Sequence, residues 1–600
     1  MDDGGGVYVM SYGAFVFCTT ANSQSVSHSL SVANARTSPR SASPRWNGAS
    51  ASVASASPRP SVKPAFGNSL MMNSTLSRSD IGTIVRTWTT LPLLKSFFWI
   101  VRPGGRGITL GTCFGQSGVV EGGAGQCGPP SVARGAAAVV GVAPGSADSP
   151  AHAVSTNASA AVAAARAGAG RTRPGYGPRM RRAWPAPVAS APIDAVVRLP
   201  GSKSVTNRAL VVASLAGGTS RLRGPLRSRD TDLMRAAMRA LGAAVADDGD
   251  DLVVTGAPAG AFVTAPAIDL GNAGTVARFV PAVAALRIGD VVLDGDPRMR
   301  ERPITPLLAA LRALGADVTG DSFPVTVRGR GALRGGAVTV DATGSSQLVS
   351  GLLLAGPLMD GGLDVRHSGG AVPSRPHLAM TVAMMRASGA EVTEKRDRWV
   401  VSRGAYAARD VDVEPDLSGA APFLAAAVAV GGVVRVPGWP VTTTQPGAAL
   451  PALLEQMGAS WSLDAASGLV LRGTGTVGAI DADLRDVPEA APVLAALACL
   501  ADGPSRLRGI AHLRLQETDR LRALATELSA LGAVVTETGD GLTIEPKPLR
   551  GKAFATYDDH RLAMAAAVVG LAVPGIVVED VDTVAKTMPD FTDRWQAMLG

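Results

Sequence analysis

Cysteine is almost missing from this sequence: four in 600 residues, at Cys18, Cys113, Cys127 and Cys499. Only Cys499 falls within residues 191–600. That excludes an internal disulfide or a thiolate metal cluster there and fits a reducing cytoplasm. Aromatic residues make up only 4%, so a core has to be assembled from Ala, Val and Leu, with helices packed closely through small side chains. Acids are scarce in residues 1–190, with 5 Asp and Glu against 17 Lys and Arg. The formal charge of +8 therefore belongs to that stretch. The remaining 40 basic and 44 acidic residues leave a mildly acidic body, which gives no reason to expect a nucleic-acid surface. Long apolar runs are also lacking in the N-terminal stretch. Its most apolar segment, Leu91 to Val101, contains Lys95 and falls far short of the ~20 residues that span a bilayer.

Residues 1–185 read as a low-complexity extension. Ser, Ala, Gly, Pro and Arg dominate, no period is sustained, and such a segment buries too little apolar surface to offset its ordering entropy. A transit-like extension, a disordered tail and upstream sequence ahead of the natural start are three readings of it. The third is favoured, because Met180 opens MRRAWPAPVASAPIDAVVRLPGSKS just before the first expected strand.

From residue 191 a unit recurs about every 70 residues. Each opens with polar or charged residues, continues as an Ala-rich helix, and adds a strand, a second helix and a hairpin. The openings are Ser204, Asn272, Ser345, Ser418, Pro488 and Tyr557. The second helices end in Gly-Ala-like stops such as MRALGA and LSALGA, where Gly supplies a left-handed cap. The sixth unit ends at Gly600 without its hairpin, so the strand at 191–201 is expected to complete it. The organisation expected is α/β: one domain over 203–412 with units one to three, and a second made of 191–202 with 413–600.

Basic residues sit at the helix openings, against the preference of a helix N-terminus for acids. Lys203, Arg208, Arg278, Arg302, Arg520, Arg561 and Lys586 all occupy such places. Helix N-termini carry unsatisfied N–H groups and bind anions. If they converge on one cleft, phosphates and carboxylates are the fitting ligands.

LPGSKSVTNRAL (199–210), GNAGTVARF (271–279), DPRMRERPI (296–304), SSQLVSGLLLA (345–355), QETDRLRALATEL (516–528), YDDHRLAM (557–564) and KTMPDF (586–591) together resemble the 5-enolpyruvylshikimate-3-phosphate (EPSP) synthases, over essentially all of 190–600. The resemblance implies two domains of three βαβαββ units each, arranged as inverted αβ barrels. It implies transfer of the enolpyruvyl group of phosphoenolpyruvate to the 5-hydroxyl of shikimate 3-phosphate, releasing phosphate, in the shikimate pathway. No metal or organic cofactor is implied. The partners implied are these two small molecules alone, with no nucleic acid and no membrane, and the enzyme is expected to be a cytoplasmic monomer.

By the same resemblance Lys203 touches both substrates, while Ser204, Arg208, Ser345, Ser346, Gln347, Ser374 and Gln516 hold shikimate 3-phosphate. Ser204 and Ser374 also read as plain helix caps. Asn272, Gly274, Arg278, Arg302, Gln347, Arg520, Arg561 and Lys586 hold phosphoenolpyruvate. Glu489 stands in the place of the general base and also faces shikimate 3-phosphate, and Glu517 in that of the acid that protonates the methylene carbon. His560 is either a proton shuttle or a hydrogen-bond partner. Three positions depart from the common pattern: Glu489 where Asp is more usual, Gln516 where Lys is common, and His377 where an aromatic is frequent. A UDP-N-acetylglucosamine enolpyruvyl transferase is the nearest rival. It calls for a mobile-loop cysteine, whereas Cys499 lies in the apolar helix PVLAALACLADG. A basic nucleic-acid-binding protein is the rival from another class, and the split of charge along the chain speaks against it.

Overall fold

The computed structural model describes residues 7–11, 14–18, 99–100 and 181–600. In the N-terminal stretch the strands Val7–Ser11, Ala14–Cys18 and Trp99–Ile100 form a small antiparallel sheet. The rest of the expected low-complexity extension up to residue 180, including Met180, lies outside the described residues. Among the described residues no helix is long and apolar enough to cross a membrane.

Residues 181–600 build two separate apolar cores. One gathers side chains from Ala209 to Tyr406. The other joins Ala186 and Ile193–Val197 to Leu417–Met598. Two chain segments pass between the lobes side by side: Ser202 N–H donates to Glu414 O at 2.8 Å, and Asp416 N–H to Pro200 O at 2.9 Å.

Each lobe repeats one device three times. In five of the six units a four-stranded sheet with one parallel and two antiparallel pairings covers a buried inner helix, as in 267–269, 288–294, 325–330 and 317–319, and in the sixth the sheet has three strands. The inner helices of the first lobe are Lys203–Leu215, Gly274–Ala285 and Gln347–Ala355. Those of the second are Ala421–Val430, Ala491–Ala498 and His560–Gly570. Nearly every residue of each is buried, which explains why they are Ala-rich all round rather than amphipathic. The closeness is literal at Gly351, where a Cβ would lie 2.0 Å from the carbonyl oxygen of Arg278 on the neighbouring helix.

Sheet closure differs from the expectation in one respect. Strand Ile193–Val196 pairs in parallel with Gly432–Val436 and completes the fourth unit, not the sixth. The sixth unit takes Trp184–Pro185, antiparallel to Val577–Val578, instead. Residues 184–185, expected in the extension, therefore belong to the second lobe's fold. Arg182 also pairs with Asp582 at 2.8 Å. The first lobe closes in the same borrowed fashion: Val411–Asp412, after unit three, pairs in parallel with Thr219–Arg223 of unit one.

Trp184 meets Phe591 edge-on with ring centroids 6.3 Å apart. Trp184→Ala is expected to cost about 2 kcal/mol, read as a lower urea midpoint at unchanged slope. Val188→Ala, at an exposed site, should leave the midpoint in place. A wild-type midpoint for Trp184→Ala would show that this strand contributes nothing to the sixth unit.

Candidate active site

The six inner helices open onto one cavity. Lys203, Gly274, Gln347, Ser418, Glu489 and His560, one from each opening, all line it. Second-helix openings add Arg302, Arg520 and Glu517. Six or more partial positive charges thus face the same space, and the repeat explains why: each unit contributes the same end of the same helix.

The cations in this space are buried and must be balanced. Glu517 does most of this. Its Oε1 lies 2.7 Å from Lys586 Nζ and 3.9 Å from an Nη of Arg302, and its Oε2 accepts from Arg520 at 2.8 Å. Arg520 is also held by Asp559, Nε to Oδ2 at 2.6 Å. Burial works against ionising Glu517, but Lys586, Arg520 and Arg302 outweigh it and hold the carboxyl well below the usual range. Lys203 Nζ reaches Asp230 at 3.3 Å, and the Lys203 N–H donates to Asp416 at 3.2 Å. Arg561 donates to the carbonyl oxygen of Ser418 at 2.7 Å.

Glu517 also joins the lobes, because Arg302 belongs to the first and Arg520 and Lys586 to the second. Lys586 Nζ further donates to the carbonyl oxygen of Asn272 at 2.9 Å, and Arg302 to the Asn272 side chain at 3.0 Å and to Gln516 Oε1 at 3.3 Å. Ser374 N–H bonds to the carbonyl oxygen of Arg485 at 2.8 Å. The lobes are in contact across the cleft.

A smaller adjoining cavity is lined by Ser345, Ser346, Gln347, Ser374, Glu489 and Gln516, the residues expected on the shikimate side. His377 stands between the two cavities and lines both. Its Nε2 lies 3.4 Å from Ser204 Oγ, and its Nδ1 3.9 Å from Glu489 Oε1. Glu489 Oε2 is buried without a hydrogen-bond partner. Burial favours a neutral Glu489, yet His377 in its charged form and Arg561 outweigh it and lower its pKa. Burial lowers the His377 imidazole to about 4. With His377 neutral, the tautomer protonated on Nδ1 would let Nε2 accept from Ser204 and turn its proton toward Glu489.

Several expected residues take other places. Ser202, not Ser204, is the N-cap of the first inner helix. Arg208 is fully buried beneath Ser204 and His377, which line the cavity. It donates to Thr381 Oγ1 at 2.8 Å, Ser204 O at 3.0 Å and His377 O at 3.2 Å. It therefore staples together the two residues whose side chains meet. Burial lowers its pKa to about 9, leaving it charged. Arg278 lines a neighbouring cavity behind Arg302 and donates to Pro303 O at 3.1 Å. Asn272 and Lys586 support Arg302 and Glu517 beside the cavity. His560 is buried with neither ring nitrogen hydrogen-bonded. Burial, reinforced by Arg561, Lys203 and Lys586, keeps it neutral. Ser374 does precede the helix Arg375–Ala387, but with left-handed φ of 53° and no capping side-chain bond. Tyr557 and Asp558 share that conformation, at 51° and 56°. Strained backbone of this kind gathers at functional sites.

Sequence reasoning passed over Asp230, Asp416 and Asp559. Asp559 lies inside YDDHR, and Asp416 two residues before the Ser418 opening, so a search for counter-ions to the expected cations would have found both.

The family model described as EPSP synthase (3-phosphoshikimate 1-carboxyvinyltransferase) matches residues 188–595. The chain belongs to the EPSP synthase family. Its activity is accordingly that of a 3-phosphoshikimate 1-carboxyvinyltransferase of the shikimate pathway. A 2.37 Å structure of EPSP synthase from Acinetobacter baumannii is similar to it with a TM-score of 0.58 and 26% identity, covering 70% of this chain and 98% of that one. A second EPSP synthase structure from that organism gives 0.57 and 26%, over 69% and 98%. The EPSP synthase assignment agrees with Cys499, whose buried thiol is pushed up to about 12 and is no loop nucleophile.

Burial also lowers His512 to about 4. His377 and His512 bind protons more readily unfolded than folded. Their neutral burial contributes stability above about pH 6.5, and it is lost as pH falls toward their folded values. Thermal midpoints are expected to drop between about pH 7 and about pH 5, less steeply in His512→Asn. An identical slope in that variant would contradict neutral burial of His512.

Proposed function

We propose that the cavity at the six inner-helix openings binds phosphoenolpyruvate beside shikimate 3-phosphate and that Glu517 and Glu489 divide the proton transfers. The single observation that carries this reading is the convergence of Lys203, Arg302, Arg520, Arg561 and the carboxylates of Glu489 and Glu517 on one cavity. Arg302, Arg520, Arg561 and Lys586 are the cations for the carboxylate and phosphate of phosphoenolpyruvate. Ser345, Ser346, Gln347, Ser374 and Gln516 face shikimate 3-phosphate, with Lys203 and Ser204 between the two substrates.

The chemistry follows from replacing one anion by another. Without substrate, Glu517 is the counter-ion of three cations. An incoming trianion takes those cations over, and the loss of their field raises the proton affinity of Glu517. Once protonated, Glu517 gives its proton to the methylene carbon, leaving an electrophilic C2. The 5-hydroxyl oxygen bonds to C2 while its proton passes to Glu489, which Ser204 and His377 steady from the other side. The tetrahedral adduct then loses phosphate by cleavage of the C2–O bond to the phosphate group, and the proton held by Glu489 leaves with it as hydrogen phosphate. A methyl proton returns to Glu517, and the enol double bond re-forms. The helix ends and cations stabilise the charge that moves between these atoms.

With one cysteine in residues 191–600, this reading keeps the expected cytoplasmic monomer.

The test is phosphate release from phosphoenolpyruvate and shikimate 3-phosphate. Glu489→Gln is expected to lower kcat by about 100-fold or more with KM nearly unchanged, and a pure rise in KM would reject it as base. Lys203→Ala and Arg561→Ala should each lose about two to three orders of magnitude in kcat/KM with the fold retained; near-normal rates would reject their place in the site. A Cβ at Gly274 would lie 2.8 Å from an Nη of Arg302. Gly274→Ala should therefore raise KM for phosphoenolpyruvate by about tenfold and leave KM for shikimate 3-phosphate alone. Equal shifts in both would move Gly274 off the phosphoenolpyruvate side.

A further inference from the structure

A roomy cavity among the described residues lies outside the site just described. It measures about 360 Å³, within the range of small-molecule sites. Two helices form its apolar walls: Val205, Ala209 and Val212 on one, Met380, Ala383 and Ala387 on the other. These helices carry Lys203 and Ser204, and Ser374 and His377, at their openings. Met380 lines this cavity and the substrate cavity alike, so one flexible thioether side chain stands between the two. The far wall is Thr442–Thr444 of the second lobe, and the floor is the inter-lobe segment that includes Arg409 and Glu414.

The charges at its rim are unequal in what they have left to offer. Glu414 accepts from Thr443 Oγ1 and from Gln445 Nε2. Asp412 accepts from Arg223 at 3.2 Å. Arg409 has no ion-pair partner among the described residues, and only its backbone N–H is engaged, with Ser220 Oγ at 3.1 Å. An occupant therefore meets apolar walls, hydroxyls and one uncommitted guanidinium, which suits a carboxylate.

We propose that this cavity is a second ligand site, for a small carboxylic acid with an apolar body of about two fused rings, and that its occupation governs the parting of the lobes. A molecule seated between first-lobe helices and the Thr442–Thr444 loop touches both lobes where they are hinged. It favours the arrangement in which the lobes are in contact and slows their separation. Substrates are then held more tightly while product leaves more slowly, so KM and kcat fall together. Competition in the substrate cleft would instead raise KM.

Sodium 2-naphthoate is the probe, added to the full chain in calorimetric titrations and in phosphate-release assays. One saturable site is expected, with kcat and both KM values lowered in parallel by about threefold at saturation. Ala383→Trp, at an exposed wall position, should fill the space and abolish binding and the kinetic effect with basal turnover unchanged. Arg409→Gln should weaken naphthoate about fivefold or more but not the uncharged 2-naphthamide. Absence of saturable binding, a rise in KM, or an effect that persists in Ala383→Trp would overturn the site. Equal naphthoate affinity in Arg409→Gln would overturn its assignment to a carboxylate.

Discussion

The structure depends on the ion cluster around Glu517. A cleft designed for polyanions must gather cations out of water, and uncompensated cations there would oppose folding. One carboxylate at 2.7 Å from Lys586 and 2.8 Å from Arg520, with Arg302 at 3.9 Å, resolves this conflict. The same contacts draw the two lobes together. The cleft's own carboxylates thus balance its cations, and on the proposed reading binding would be an exchange of counter-ions. In the proposed mechanism that exchange would give Glu517 two roles in sequence, first as a placeholder for the substrate's charge and then as a proton donor.

The fold supplies this cluster by repetition. Small side chains let three inner helices per lobe pack so closely that their N-terminal ends meet, as Gly351 against Arg278 illustrates. Because every unit presents the same helix end, a cation, amide or carboxylate placed at an opening faces the shared space. Borrowed strands then lock the units: 193–196 and 184–185 in the second lobe, 411–412 in the first. The chain passes between lobes at 200–202 and 414–416, next to Lys203 and Asp416, so the hinge and the chemistry share residues.

Much of this was legible in the sequence because periodicity is local. Six openings at near-constant spacing, the Gly stops and the basic helix starts are read from one unit at a time. The borrowed strands were not, since a short strand such as Trp184–Pro185 carries no signal naming its partner hundreds of residues away. Arg208 shows a different limit. Its motif points to a ligand, but the motif does not show that the guanidinium also donates to Thr381 and two carbonyls, because burial is a property of neighbours the motif does not contain. The ionisation of Glu517 was equally out of reach, because it is decided by Lys586, Arg520 and Arg302 together. Conversely, His377 and Glu489, far apart in the sequence, are spatial neighbours 3.9 Å apart.

The most direct measurement is the carboxyl 13C shift of Glu517 in glutamate-labelled protein, assigned with Glu517→Gln. It should be followed from about pH 4 to about pH 8, first free and then saturated with shikimate 3-phosphate and inorganic phosphate. The account predicts a carboxylate ionised throughout in the free protein, whose apparent pKa rises when the anions occupy the cavity. A Glu517 that titrates in the ordinary range when free, or that ignores the bound anions, would contradict it.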